Sequence, residues 1–187
     1  MTCNLYCLRY NINYHQYHIN IALIFMEELR RYKDIVYKII GAAMEVHSNL
    51  NYGLLEPVYQ EALHRELMLN GIDNCREQLL QIFYKGVPLD KQYKMDMVVG
   101  DVVVELKSVT QIIPKHRAQL CNYLRLSKKP VGLLINFGEP KLIGERWAYD
   151  AQSNDCFLVN RDMEPVCDAN YNKLLYHDSG TDECAEE

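Results

Sequence analysis

The chain has 187 residues, of which 49% are hydrophobic and 24% are charged, and its formal net charge is −5. This composition excludes collagen-like, fully disordered and supercharged chains. The length predicts one domain with extra chain at its ends. Because no apolar run approaches the roughly 18 to 20 residues that cross a bilayer, we expect a soluble protein without a membrane partner.

The cysteines give an expectation about cellular compartment. The chain has 7 cysteines and no CxxC pair, and no signal peptide is recognisable ahead of them. We therefore expect free thiols and a cytoplasmic location.

Charge is distributed unevenly along the chain. Residues 150–187 carry ten acids and two bases, a net charge of −8, so residues 1–149 carry +3. A basic stripe without any acid runs through 107–129, and such a stripe either contacts phosphates or forms a solvated helix face. Its six bases are Lys107, Lys115, Arg117, Arg125, Lys128 and Lys129.

The chain divides into three regions. Residues 1–25 lack helical or strand periodicity and are interpreted as an irregular N-terminal arm, a floppy segment or an extra strand, with Met26 as an alternative start. Residues 26–150 hold the patterned domain. Residues 151–187 form a C-terminal extension whose acidic end has few large apolar groups, so we expect that end to be disordered.

Periodicity within the domain predicts an α/β fold with a mixed sheet. Apolar residues at helical spacing, followed by alternating and β-branched runs, give the order α-α-β-β-β-α-β-β. The predicted helices cover about 35–47, 54–70 and 114–126, and the predicted strands cover 78–84, 91–99, 102–108, 131–137 and 146–149, with turns at 86–88 and 100–101.

The hairpin around Gly100 and Asp101 predicts which side chains face each other. A two-residue loop with Gly first fixes the register of the flanking strands. In that register Asp96 faces Glu105, and directly opposed like charges are destabilising. Strand alternation places Lys107 on the same side as Glu105.

Two carboxylates and a lysine in one patch predict a cation site. Carboxylate oxygens suit a hard ion such as Mg²⁺ or Mn²⁺. Such an ion activates water and stabilises a phosphoryl oxygen, and a nearby ammonium assists. The alternative is a surface hairpin in which Lys107 simply neutralises Asp96 and Glu105.

Several short motifs occur in an order that resembles the GxxExxY proteins of the PD-(D/E)xK nuclease superfamily. GLLEPVYQEAL contains Gly53, Glu56 and Tyr59, and MDMVV contains Asp96. VELK, AQLCNYLRL and GLLINFG then follow in the same order. The resemblance covers about residues 30–145. It departs from the superfamily motif before Asp96, where Lys94-Met95 replaces the proline.

The resemblance implies a restriction-endonuclease-like core, a mixed β-sheet flanked by helices in the order αβββαβ. It implies that Asp96 and Glu105 hold Mg²⁺ or Mn²⁺, that Lys107 is catalytic, and that Glu56 completes the catalytic metal site. The implied activity is a divalent-metal-dependent nuclease acting on nucleic acid, DNA more than RNA. The alternative is a catalytically silent module that binds nucleic acid or protein.

The predicted nucleic-acid contacts come from two helices and the basic stripe. Gln119 and Tyr123 resemble the QxxxY motif of RecB-like members, which act on DNA ends or single strands. A Gln side chain can hydrogen-bond a base or phosphate, and a Tyr ring can stack on a base. The alternative for Gln119 and Tyr123 is packing, and the alternative for Tyr59 is a partly buried core position. His47 and His116 are interpreted as structural or surface residues. The full set of predicted contacts is Tyr59, Lys115, Arg117, Gln119, Tyr123 and Lys128.

Overall fold

The computed structural model describes residues 25–166, so the expectations for residues 1–24 and for the acidic C-terminal end lie outside the described residues. Residues 25–30 are helical and precede three longer helices and six strands. The helices are α1 (Lys33–Leu50), α2 (Glu56–Leu69) and α3 (Pro114–Ser127). The strands are β1 (Cys75–Tyr84), β2 (Val87–Val99), β3 (Val102–Lys107), β4 (Val131–Asn136), β5 (Ile143–Asp150) and β6 (Asp155–Val159).

The six strands form one mixed sheet in the order β1-β2-β3-β4-β5-β6. Strands β3 and β4 are parallel, and α3 connects them, because parallel neighbours need a crossover. The other four neighbouring pairs are antiparallel. The predicted α/β class with a mixed sheet and flanking helices is confirmed.

Strand β6 was not predicted from the sequence. It pairs with β5 from Arg146–Val159 to Asp150–Asp155, so the sheet continues past residue 150, where we had placed the end of the patterned domain. The strand has only five residues and lies in an acidic stretch, and both features weaken the alternation signal.

The helices cover the two faces of the sheet and give it two hydrophobic cores. Helices α1 and α2 pack on one face, against Val102, Val104 and Leu106 of β3. Helix α3 packs on the other face, where Leu120 and Leu124 meet Val103 and Leu134, among other residues. Alternate residues of β3 therefore point into different layers.

Strands β1 and β2 form a ribbon that extends beyond the rest of the sheet. Strand β3 pairs with β2 only through Met97, Val98 and Val99, so the part of β2 before them has β1 as its only paired neighbour within the described residues. Pro88 lies in that part and pairs with Phe83. A proline is tolerated there because one edge of β2 is free, and this is why β2 begins earlier than we predicted.

The predicted hairpin register is confirmed for the pairs nearest the turn. Val99 pairs with Val102 and Met97 pairs with Val104. Gly100 has φ of 56°, a left-handed value that glycine adopts without strain. The turn therefore fixes how β2 presents Asp96 to β3.

No helix in residues 25–166 combines the length and the apolar character needed to cross a membrane.

Candidate functional site

The centre of the site is a buried pair of opposite charges at the end of β3. Glu105 is 0% exposed and Lys107 is 8% exposed, and both lie on the α3 side because Val104 and Leu106 face the other layer. The Lys107 ammonium donates to Glu105 Oε1 at 2.5 Å. Burying two charged groups costs stability, so packing alone does not explain why both groups lie here.

Asp96 lies where β2 becomes irregular. Met95 and Met97 belong to opposite cores although they are two residues apart, so the alternation of β2 breaks at Asp96. Opposite it on β1, Glu77 has a left-handed φ of 53°. Instead of continuing the backbone pairing, Asp96 accepts a hydrogen bond from the Leu106 amide through Oδ2 at 2.8 Å. That bond ties Asp96 to the strand that carries the buried pair.

Glu56 approaches the site from the first turn of α2. Its pKa is raised by burial and by the Asp96 charge, while Lys107 and a hydrogen bond with the Ser108 backbone oppose the rise. Ser108 follows Lys107 directly, and its hydroxyl donates to the Leu54 carbonyl at 2.6 Å. The structure therefore brings together all four residues that we predicted for the catalytic site.

The surroundings of the site disfavour the charged forms of its three carboxylic acids, Glu56, Asp96 and Glu105. Burial, the Asp96 charge and the Glu56 charge raise the pKa of Glu105 to about 7, although Lys107 opposes them. Burial also raises the pKa of Asp96, against the Leu106 hydrogen bond and Lys107. Burial acts to lower the pKa of Lys107, but the attraction of Glu105 outweighs it and the net shift is upward.

The residues of the site fit a hard cation. Glu105 Oε2 is buried and has no hydrogen-bond partner in the described residues, and an unsatisfied buried carboxylate oxygen is costly unless something binds it. Residues 25–166 contain no group of three or more His, Cys, Asp or Glu arranged to hold a metal. An ion would therefore take few protein ligands and keep several waters, as Mg²⁺ usually does.

Two positioning residues were not predicted from the sequence. Gln60, one turn after Glu56, donates its side-chain amide to the Asp96 carbonyl at 3.0 Å. Asn136 is fully buried and accepts hydrogen bonds from the Val109 and Gly138 amides at 3.0 and 3.1 Å. The spacing of Gln60 from Glu56 is the one signal that could have found it.

Gly138 allows the chain after β4 to approach the chain after β3. A Cβ at this position would lie 2.3 Å from backbone atoms of Val109. The Phe137 amide donates to the Lys107 carbonyl at 2.7 Å. These contacts fix the loop that immediately follows Lys107.

The prediction that Tyr59 contacts nucleic acid is wrong. Its side chain is 0% exposed and stacks on Phe137 with ring centroids 4.5 Å apart. Its hydroxyl donates to the Asn51 carbonyl at 2.7 Å and accepts from the Leu54 amide at 3.2 Å. Tyr59 therefore fastens the α1–α2 connection beside Glu56.

The prediction that Tyr123 stacks on a base is also wrong. Tyr123 is 5% exposed, and its hydroxyl donates to the Lys94 carbonyl at 3.2 Å while accepting from Gln119 at 3.0 Å. Burial raises the pKa of Tyr123, and the Glu105 and Asp96 charges add to the rise. Gln119 and Tyr123 therefore hold β2 beside the acids, and contact of Gln119 with substrate stays a prediction.

The basic stripe is not a continuous free surface. Lys107 is in the buried pair, and Arg117, which we predicted to contact phosphate, makes a bidentate ion pair with Glu145 instead. Lys128 is exposed, with its ammonium 2.9 Å from the Tyr149 hydroxyl. Lys115 is exposed and makes no ion pair within residues 25–166, so Lys115 and Lys128 remain candidates for phosphate contact.

The histidines lie in different places. The His47 ring contacts the Glu139 carbonyl at 2.9 Å. His116 accepts from the Ile113 amide at 3.3 Å as part of the start of α3. Burial and the charge of Lys107 lower the pKa of His116, and its contact at the start of α3 agrees with the structural role that we expected.

Comparison with known proteins identifies the family to which the chain is similar. The sequence profile described as the PD-(D/E)XK nuclease superfamily matches residues 33–147. A search of curated proteins found no match. The solved structure titled "Crystal structure of SSO0001" resembles the chain with 18% sequence identity and a TM-score of 0.41. That alignment covers 64% of this chain and 60% of the solved chain. This chain therefore spans less than two thirds of the length of the solved chain.

Proposed function

Because the chain belongs to the PD-(D/E)XK nuclease superfamily, we propose that it is a divalent-metal-dependent nuclease that hydrolyses phosphodiester bonds in nucleic acid. The observation that carries the proposal is the buried Glu105, whose Oε2 has no partner in the described residues while Asp96 and Glu56 add negative charge around it. A cluster of this kind is stabilised by a cation and has no evident role in packing. A preference for DNA over RNA rests on the resemblance to RecB-like members.

Asp96 and Glu105 are the proposed ligands for Mg²⁺ or Mn²⁺, with Glu56 at the margin of the site. When bound, such an ion makes water more acidic and offsets negative charge on a phosphoryl oxygen. Asp96 also keeps its hydrogen bond to the Leu106 amide. That bond holds the Asp96 carboxylate beside β3.

Lys107 is proposed to stabilise the charge that develops on the phosphate. Burial lowers the pKa of Lys107, but Glu105 outweighs that effect and the net shift is upward, which favours the ammonium form. An ammonium at this position can stabilise developing negative charge and orient the attacking water. Lys107 is also close enough to Glu105 to keep that carboxylate in one orientation.

We also propose the finer assignment to the GxxExxY group with a RecB-like QxxxY motif. Tyr59 and Tyr123 support it, since both hold the backbone that surrounds the acids. A cytoplasmic location is proposed from the free thiols of Cys75, Cys121 and Cys156.

A second candidate is a nucleic-acid-binding module without turnover. The observation in its favour is that Lys107 already occupies one Glu105 oxygen, while no group of three metal-binding side chains forms within residues 25–166. In this alternative Lys107 would be the permanent partner of the acids. The two proposals differ in whether a divalent ion binds at all.

Cleavage of labelled oligonucleotides tests the proposal. Single-stranded DNA, duplex DNA and single-stranded RNA are incubated with Mg²⁺, with Mn²⁺ or with a chelator, using wild type, Asp96→Asn and Lys107→Met. Asp101→Asn, at the exposed turn of the same hairpin, is the matched control. Cleavage that needs the ion, is lost in the two site variants and is kept in the control supports a nuclease. Binding without cleavage by wild type under every condition supports the module.

A further inference from the structure

Tyr93 is an exposed tyrosine of β2 that precedes Asp96 by three residues. Its side chain is 44% exposed, and its ring makes a T-shaped contact with Tyr123, with centroids 5.7 Å apart. Tyr123 is buried and its hydroxyl is already bonded. Of these two rings, Tyr93 therefore offers the open surface.

Tyr93 lies on the same face of the sheet as the buried pair. It pairs across the ribbon with Leu80, which packs against the core beneath α3, and Glu105 and Lys107 point to that side as well. Tyr93 precedes Asp96 by three residues, which along a strand is about 10 Å. A nucleic-acid strand with its phosphate at the acids therefore places a neighbouring base within reach of Tyr93.

Lys91 lies two residues before Tyr93 on the ribbon and is exposed. It stands where the pairing of β1 with β2 shifts register, between Gln81 and Phe83. An aromatic ring followed by a cation along one path is the arrangement that binds single strands, since bases stack on the ring and phosphates follow the cation. A base in a duplex is already stacked and paired, so its face is not available to a side chain.

We propose that Tyr93 is a substrate-binding residue that stacks on an unpaired base beside the scissile phosphate. The inference rests on the proposed nuclease function and names a residue that binds its substrate. It transfers to Tyr93 the stacking role that the sequence suggested for Tyr123.

Binding without a divalent ion tests the inference apart from catalysis. The anisotropy of a dye-labelled single-stranded oligothymidylate is measured in chelator with the full chain, so that no cleavage occurs. Tyr93→Phe retains the ring, whereas Tyr93→Leu retains apolar contact with Tyr123 and lacks an aromatic face. Tyr37→Ala is the matched control, because Tyr37 is 79% exposed on α1 in the other layer.

The expected result is that Tyr93→Leu weakens binding of the single strand by roughly 5- to 150-fold, the range for loss of one base–aromatic stack. Tyr93→Phe and Tyr37→Ala should bind as wild type does, and wild type should bind a blunt duplex less tightly than the single strand. Equal binding by Tyr93→Leu and wild type overturns the inference. If wild type still cleaves with Mn²⁺ in that case, the nuclease proposal stands alone. A wild type that neither binds nor cleaves overturns both.

Discussion

Two pairs of opposite charges lie on the α3 side of the sheet, and they are built differently. Glu145 accepts from Arg117 through both carboxylate oxygens, at distances between 2.6 and 3.1 Å, and Trp147 donates a further hydrogen bond at 3.1 Å. Glu105 accepts from Lys107 through one oxygen, and its other oxygen is buried without a partner in the described residues. Both carboxylate oxygens of Glu145 are hydrogen-bonded in the Arg117–Glu145 pair. In the Lys107–Glu105 pair only one Glu105 oxygen has a partner within the described residues.

The surroundings of the two pairs sharpen the contrast. Burial, with the added negative charge of Asp96 and Glu56, raises the pKa of Glu105 to about 7. A buried carboxylate that is fully hydrogen-bonded serves the fold, whereas one that is crowded by other acids costs stability until a cation arrives. We therefore interpret Arg117–Glu145 as a structural ion pair and Lys107–Glu105 as part of a binding site, although both lie on the same face of the sheet.

The largest expected effect is on catalysis. Replacing Lys107 with Met should lower the cleavage rate by about 100- to 1,000-fold, as removal of one preorganised charge at a reacting centre does elsewhere. Arg117→Lys, which keeps a charge on the other pair, should leave the rate of the folded enzyme nearly unchanged. Single-turnover rates at saturating Mn²⁺ measure both. Equal losses in the two variants would contradict the division between the pairs.

The second largest expected effect is a loss of stability when the Arg117–Glu145 pair is broken. Arg117→Met should lower the free energy of unfolding by about 3 kcal/mol, because it leaves Glu145 largely buried without its cation. Urea titration at neutral pH measures the loss. Lys115→Met, on the same helix but exposed, is the control and should change stability little. A loss below about 0.5 kcal/mol for Arg117→Met, the ordinary range of surface substitutions, would show that this pair is not structural.

Stability should fall as pH rises between about 4.5 and 7. Glu105 titrates at about 7 in the folded protein, above its ordinary value of 4.5, so in this interval the unfolded chain has lost a proton that the native protein retains. The pKa values of Asp96 and Glu56 are also raised, which gives the same sign. The decrease should be roughly 3 kcal/mol in metal-free protein, because each pKa unit corresponds to about 1.4 kcal/mol.

The Glu105→Gln variant identifies the source of that pH dependence. An amide has no proton to lose in this range, so the decrease should become much shallower. Urea titrations at several pH values between 4.5 and 8 compare it with wild type. An unchanged slope would assign the dependence to other groups.

The smallest effect is a gain. Metal-free Asp96→Asn should be more stable than wild type by about 1 kcal/mol or less, because one repelling charge is removed and the Asn carbonyl can still accept from the Leu106 amide. Glu145→Gln should instead lose stability, because its charge is matched by Arg117. Metal-free thermal melts of both variants at pH 8 give the two signs. A clear loss in Asp96→Asn would mean that its charge stabilises the fold.

The hairpin could be predicted because its turn is local. Gly100 fixed the register from Val99 to Met97, and alternation placed Glu105 and Lys107 together. The irregularity at Asp96 could not be predicted, since it depends on Glu77 of β1 and on contacts from α2. A one-strand pattern contains no information about a neighbouring strand.

Burial of aromatic residues was the main error. Tyr59 and Tyr123 occur beside polar residues at helical spacing, and that pattern fits a binding face as well as a core face. Only the packing of Phe137 on Tyr59 and of β2 on Tyr123 decides between them. The burial of Arg117 could not be predicted either, because its partner Glu145 lies on β5, far away in the sequence.

The stability of the protein with and without Mn²⁺ tests the central claim most directly, using wild type, Asp96→Asn and Asp101→Asn at pH 8. An ion that binds only the folded state stabilises it by about 2.7 kcal/mol when its concentration is a hundredfold above Kd. Wild type and Asp101→Asn should both gain such stability, and Asp96→Asn should lose most of the gain. An absence of any shift in wild type, or an equal shift in all three proteins, would contradict a cation site at Asp96 and Glu105.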